Sequence, residues 1–153
     1  YDSEENPLKQ VHATEYDDWM SARSDNGIVI HGDGGNDTLN VGAGDDVLDG
    51  GTGNDYLSGG IGNDTYIFEI GYGSDIVEDT DGENNVILNR LTLDMIEFNV
   101  NEYGDLLVSI NGSEDVLTIR SFDPELFTFE FADGVIGMVS AEMAEFIQII
   151  SKE

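Results

Sequence analysis

The chain has 153 residues, 33 of them Asp or Glu against 5 Lys or Arg, a formal net charge of −28, and no cysteine. Such a charge excludes nucleic acid or an anionic membrane surface as the main partner, since both would repel it. The missing cysteines exclude disulfides, zinc–thiolate sites and thiol nucleophiles. The length fits one or two small domains, and no apolar run approaches the roughly 18 residues of a membrane-spanning helix. The first residues, Tyr1-Asp2-Ser3-Glu4-Glu5, lack the basic-then-apolar pattern of a signal peptide. Three classes remain: a metal-binding acidic protein, a disordered acidic tail, or an ordinary acidic globule.

Residues 1–22 read as a flank, with one helical turn expected around Ala13–Met20. Trp19 and Met20 are expected to pack over the open upstream end of whatever follows, because open ends of repeat folds need caps. Of the 19 glycines, 11 fall between Gly32 and Gly62. In ninefold register residues 32–67 give the rows GDGGNDTLN, VGAGDDVLD, GGTGNDYLS and GGIGNDTYI. Glycine holds the fourth place (Gly35, Gly44, Gly53, Gly62), aspartate the sixth (Asp37, Asp46, Asp55, Asp64) and a large apolar residue the eighth (Leu39, Leu48, Leu57, Tyr66). Upstream, RSDNGIVIH (23–31) keeps only Ile30 at the eighth place. Downstream, after a two-residue slip at Phe68 and Glu69, IGYGSDIVE (70–78) restores Gly73, Asp75 and Val77. TDGENNVIL (80–88) offers Asn85 at the sixth place and Ile87 at the eighth. A flexible acidic linker would not hold a ninefold apolar column.

Beyond residue 88 short alternating strands begin: Ile96, Phe98 and Val100, then Leu106, Val108 and Ile110, a turn at Asn111-Gly112, then Val116–Arg120 and Phe127, Phe129 and Phe131, with a further turn at Asp133-Gly134. The segment VSAEMAEFIQII (139–150) reads as an amphipathic helix opened by Ser140, with Val139, Met143, Phe146, Ile147 and Ile150 on its apolar face. Catalytic signatures are missing: there is no HExxH zinc motif, no GxSxG elbow and no phosphate-binding GxxxxGK[ST] loop. His12 and His31 stand isolated, and nothing apolar around the pair Asp17-Asp18 suggests an acid–base role. Asp123-Pro124 reads as a turn. The chain is expected not to be an enzyme.

The repeated GGxGxDxUx rows resemble the calcium-binding nonapeptides of RTX (repeats-in-toxin) domains in secreted bacterial proteins. The stretch GDLLVSINGSEDVLTIRSF…FEFADGVI resembles the region that follows such repeats in haemolysin-type calcium-binding proteins. The resemblance implies an all-β fold: a right-handed parallel β-roll with a C-terminal β-rich cap and a terminal helix. It divides the chain into an N-terminal flank (1–22), the roll (23–88) and the cap with its helix (89–153). Leu39, Leu57 and Val77 would stack on one sheet, and Ile30, Leu48, Tyr66 and Ile87 on the other. The residue types agree, since glycines let backbone carbonyls turn inward. A hard cation such as calcium takes six to eight oxygens from carboxylates and carbonyls.

Carried over by position, loop 32–37 with loop 50–55 would use Asp37, Asp55 and carbonyls near Asp33, Gly35, Gly50 and Thr52. Loop 41–46 with 59–64 would use Asp46, Asp64 and carbonyls near Gly42, Gly44, Gly59 and Ile61. Loop 50–55 with 70–75 would share Asp55 with Asp75, using Gly51 and Gly53. About three well-formed calcium sites are expected, and up to five in all, the weaker ones lying where Ile28 or Asn85 takes the sixth place. The implied function is a monomeric calcium-binding module, secreted or on the bacterial cell surface. It would fold on calcium outside the cell and support type I secretion and folding of a larger adhesin, toxin or hydrolase. The export machinery would be its partner, and the terminal helix part of the secretion signal or of the cap. The alternative is a calcium-stabilised binding module for a glycan or protein surface, with Tyr56 and Tyr103 as exposed aromatics.

Overall fold

A nonapeptide that ends in a polar–apolar–polar triplet buries one side chain per strand and points the two flanking ones outward. The computed structural model describes residues 9–23, 26–140 and 145–149, and in it each triplet is a short strand. The strands are β1 (Lys9–His12), β2 (Trp19–Ala22), β3 (Ile28–His31), β4 (Thr38–Val41), β5 (Val47–Asp49), β6 (Tyr56–Ser58), β7 (Thr65–Phe68), β8 (Ser74–Val77) and β9 (Asn84–Leu88). Successive strands alternate between two sheets, so the chain winds as a parallel β-roll. One sheet begins β1-β3-β5-β7-β9 and the other contains β8-β6-β4-β2, all paired in parallel.

Leu39, Leu57 and Val77 form one inward column, and Ile30, Leu48 and Tyr66 begin the other; all are at most 1% exposed. The second column continues through Val86, not Ile87: Tyr66 pairs with Val86, which is fully buried. Its row therefore starts at Asp79, without a break after residue 78. The glycines show why, because Gly82 (φ +81°) stacks against the Gly62 carbonyl, where only a residue without a Cβ fits. The slip at Phe68 and Glu69 is absorbed within one turn: β7 extends to a fully buried Phe68, and the next turn stacks in register.

The expected helical turn at Ala13–Met20 does not form. Residues 13–18 are loop and residues 19–22 a strand, so residues 9–22 add one strand to each sheet. Met20 is half-buried beneath Leu39, whereas Trp19 points outward and is 81% exposed instead of covering the end of the roll.

The cap continues both sheets. β12 (Val116–Ile119) pairs in parallel with β8 and then antiparallel with β11 (Leu106–Ile110), which pairs with β10 (Ile96–Val100). β13 (Phe127–Phe131) pairs in parallel with β9 and antiparallel with β14 (Ile136–Ser140). Asp123 caps a short 3-10 turn, Pro124–Leu126, by accepting from the Glu125 N–H at 3.0 Å.

The expected terminal helix is overturned over its described part. Residues Glu145–Ile149 form β15, antiparallel to β14 with Val139 opposite Phe146. The Phe146 ring stacks on Phe98 at 6.0 Å and meets Phe131 edge-on at 5.1 Å. The ladder offered by β14 and this aromatic cluster outweigh the helical periodicity of the segment. Met143 and Ile150 lie outside the described residues.

Phe129 is fully buried, edge-on to Phe98 at 5.5 Å and close to Phe122. Phe129→Ala is expected to cost about 3–5 kcal/mol, read as a lower urea midpoint in saturating calcium with an unchanged slope.

Candidate metal centre

The loops between strands stack as the strands do, which places every sixth-place side chain above the same position one turn earlier. On the sheet containing β4, the Asp37 N–H donates to Asp55 Oδ1 at 2.8 Å and the Asp55 N–H to Asp75 Oδ1 at 2.9 Å. On the other sheet, the Ile28 N–H donates to Asp46 Oδ1 at 2.8 Å, and the Asp46 N–H to Asp64 Oδ1 at 2.9 Å. One carboxylate oxygen of each aspartate thus ties two turns together. The other is left over: Oδ2 of Asp37, Asp46, Asp55, Asp64 and Asp75 is buried and receives no hydrogen bond. A buried, unpartnered carboxylate oxygen costs several kcal/mol unless a proton or a cation meets it.

The surrounding backbone forms a cradle. A Cβ on Gly32 would sit 2.5 Å from the Gly50 carbonyl oxygen and 2.6 Å from Asp37 Oδ2, so the space over Gly32 is lined by these oxygens. Gly50 and Gly59 lie in the same way against Asp55 Oδ2 and Asp64 Oδ2. The carbonyls of Asp33 (φ +67°) and Gly35 face Gly51 and Gly53 one turn on, and those of Gly42 and Gly44 face Gly60 and Gly62. The third-place residues Thr52 and Ile61 donate their N–H groups to the Asp33 and Gly42 carbonyls at 2.9 and 3.1 Å. The predicted pairs 37/55, 46/64 and 55/75 are therefore each brought together, and the two-residue slip does not displace the third.

This donor set is oxygen only. Among the described residues no three His, Cys, Asp or Glu side chains converge as a metal site, so any ion would be held by carboxylate pairs and carbonyls. None of the ion pairs among the described residues reaches a sixth-place aspartate. Such a set fits calcium, a hard cation, better than zinc or copper.

Electrostatics point the same way. Burial pushes the Asp46 carboxyl from its ordinary value near 3.8 up to about 6. Burial, reinforced by facing carboxylates, pushes Asp55 to about 7 and Asp64 and Asp75 to about 8. Asp37 is raised for the same reason.

Several site residues were not legible in the rows. Asp18 occupies a sixth place, its N–H donating to Asp37 Oδ1 at 2.8 Å, but a single extra residue, Ala22, hides it. Its own Oδ2 is taken by the Thr14 N–H and hydroxyl, which hold its carboxyl below the ordinary value. The sixth place of the last row is Asn84, not Asn85: Asn84 Oδ1 accepts the Asp64 N–H at 2.9 Å. The fifth places form a second ladder in which Asn36, Asp45, Asn54 and Asn63 accept N–H groups from the next turn. Asp115 docks the cap on the last loop of its column, accepting the Gly73 and Gly71 N–H groups at 2.9 and 2.8 Å. His12 and His31 are not isolated; their rings stack at 4.4 Å on adjacent strands.

Carboxyls whose affinity for protons is higher in the folded than in the unfolded chain favour folding below the unfolded value, and lose that contribution as pH rises through the folded one. Without metal the chain is therefore expected to be more folded at about pH 5 than at about pH 8, with the loss spread over the window from about 4 to 8. Calcium binding at pH 7 should release protons. Circular dichroism in EDTA across that range, and calorimetry in buffers of different ionisation enthalpy, measure the two effects.

Residues 31–66 match the model of the RTX calcium-binding nonapeptide repeat in four copies. Residues 105–136, which run from β11 to the start of β14, match the haemolysin-type calcium binding protein related domain. No curated protein matches the chain significantly. Among solved structures, the extracellular lipase LipA from Serratia marcescens superposes over 89% of this chain with a TM-score of 0.52 at 20% identity. The chain spans 20% of the lipase's length. The AlgE6R2 subunit of the Azotobacter vinelandii mannuronan C5-epimerase aligns over 80% of this chain and 88% of its own, with a TM-score of 0.49 at 21% identity. At such identities the likeness to the lipase is one of fold. The chain carries an RTX calcium-binding repeat domain, continued by a haemolysin-type related domain that closes its two sheets.

Proposed function

We propose that this chain is a calcium-dependent folding module of a larger secreted bacterial protein, released unfolded through a type I system and folded outside the cell. The observation that carries the proposal is the set of five buried Oδ2 atoms without a donor. In a chain of net charge −28 that lacks lysine or arginine at these positions, stacking the loops brings like charges together and opposes compaction. Calcium, when bound, supplies two positive charges at each carboxylate pair. Folding and metal binding are then one event. Extracellular modules bind calcium at about 0.1–1 mM, well above cytosolic levels, so the same residues would keep the chain open inside the producing cell. The match to an extracellular lipase over one fifth of that protein's length supports a part played alongside an activity located elsewhere. In this reading the module itself catalyses nothing.

Far-UV circular dichroism of EDTA-treated protein during a calcium titration tests this reading. A cooperative coil-to-β transition near 0.1–1 mM, not reproduced by magnesium, is expected. A β spectrum already present in EDTA and indifferent to calcium contradicts it. Asp55→Asn keeps the oxygen that accepts the Asp37 N–H but removes a charge shared by two candidate sites. The midpoint should rise about tenfold.

A second reading, recognition of a glycan or protein surface, is favoured by Trp19. It is 81% exposed on the outer face of its sheet, in one cross-strand row with Thr38 and Tyr56. Tyr103, 77% exposed, lies in a cap turn, whereas the Tyr56 hydroxyl is engaged by Glu78. As the only tryptophan of the chain, Trp19 reports directly: a shift of its fluorescence on a glycan panel in calcium supports this reading, and no shift argues against it.

A further inference from the structure

At the last full turn of the roll, the repeat pattern fails in three places at once. Asn84 stands at the sixth place, so its loop lacks the carboxylate that would pair with Asp64. Asp79 stands at the first place, which is glycine at 32, 50 and 59. Tyr66 stands at the eighth place, where the three preceding rows have leucine. The structure brings these three departures together. The Tyr66 hydroxyl donates to Asp79 Oδ2 at 2.6 Å and accepts the Gly59 N–H at 2.8 Å. A Cβ on Gly59 would lie against Asp64 Oδ2 and 2.6 Å from the Tyr66 hydroxyl, so these two oxygens border one space.

Two further observations point to a ligand there. Asp64 is 1% exposed and its Oδ2 has no hydrogen-bond partner, although the Tyr66 hydroxyl and the Gly59 N–H are both close by and already engaged elsewhere. Asp79, 5% exposed, is near enough for its carboxylate to repel that of Asp64, and no lysine, arginine or histidine pairs with either among the described residues. Asp79 also lines an open cleft of about 410 Å³ together with Glu78, Asp81, Tyr56 and Gly60, so it borders an acidic surface.

We infer that Asp79 completes a further calcium site between loops 59–64 and 79–84, in which a first-place carboxylate replaces the absent sixth-place one. Asp64 Oδ2 and the Asp79 carboxylate supply the charge, and the Tyr66 hydroxyl orients Asp79 by holding one of its oxygens. Asn84 keeps the tie between turns through Oδ1, while its Nδ2 donates to the Asp81 carbonyl at 3.0 Å and leaves the metal side to Asp79. This inference rests on the calcium-binding reading of the repeats and supplies a carboxylate ligand, outside the sixth-place columns, for the weaker site expected at the last row.

The test is calcium stoichiometry by calorimetry on the full chain and on Asp79→Asn, which keeps an acceptor for the Tyr66 hydroxyl. The variant is expected to bind one ion fewer per chain, with the remaining ions unchanged. Equal stoichiometry and affinity would overturn the inference and leave Tyr66–Asp79 as a metal-free hydrogen bond closing the roll. Should Asp79→Asn fail to fold in calcium, calorimetry on Tyr66→Phe, which frees Asp79 but keeps every carboxylate, decides the matter: one ion should bind more weakly, and unchanged affinity for all ions would overturn the inference. A wild-type chain that binds no calcium at all would instead contradict the broader reading of the repeats.

Discussion

A carboxylate has two oxygens, and in this roll they have different fates. At the sixth places, one accepts the backbone N–H of the preceding turn at 2.8–2.9 Å and so sets the stacking of the solenoid. The other is carried into the interior with nothing to meet it. The two cannot be separated, because the side chain that staples the turns is the one that brings the charge inside. In the proposed reading, a cation that meets the second oxygens completes a fold built on this contact, and without one the facing carboxylates repel.

The rest of the architecture serves that contact. Glycines at the fourth places let each loop stack on the carbonyls of the one before, an approach that Gly62, with φ +127° against the Gly44 carbonyl, shows plainly. The apolar eighth places fill a narrow interior one residue per strand, and the cap then supplies bulk. Phe98, Phe127, Phe129 and Phe131 are buried in the same apolar core as the strand residues of the roll. By pairing β12 with β8 and β13 with β9, the cap covers both downstream sheet edges of the roll, where an exposed ladder would invite aggregation. Asp115 adds a polar lock on the last loop of its column.

How much of this was legible follows from what the sequence repeats. The parallel roll, its two apolar columns and the pairs Asp37/Asp55 and Asp46/Asp64 could be read because three residue types recur at fixed spacing. Where the spacing varies by one residue the reading fails: Ala22 hides Asp18, and starting the last row at residue 80 exchanges Asn84 and Val86 for Asn85 and Ile87. The terminal segment failed for another reason. Its apolar residues suit a helix by spacing, but β14 offers backbone partners and Phe98 with Phe131 an aromatic socket, and both are tertiary facts. Asp79 fell between two rows and Tyr66 read as one more apolar eighth place; only the fold places them in contact.

The central claim is that the stapling contacts of the sixth-place aspartates exist only when their second oxygens are neutralised. Residue-resolved amide hydrogen exchange at pH 7, in EDTA and in millimolar calcium, measures those contacts one by one. The account predicts that the N–H groups of Ile28, Asp37, Asp46 and Asp55 exchange freely in EDTA and become strongly protected in calcium. Equal protection of the four amides in both conditions would contradict it.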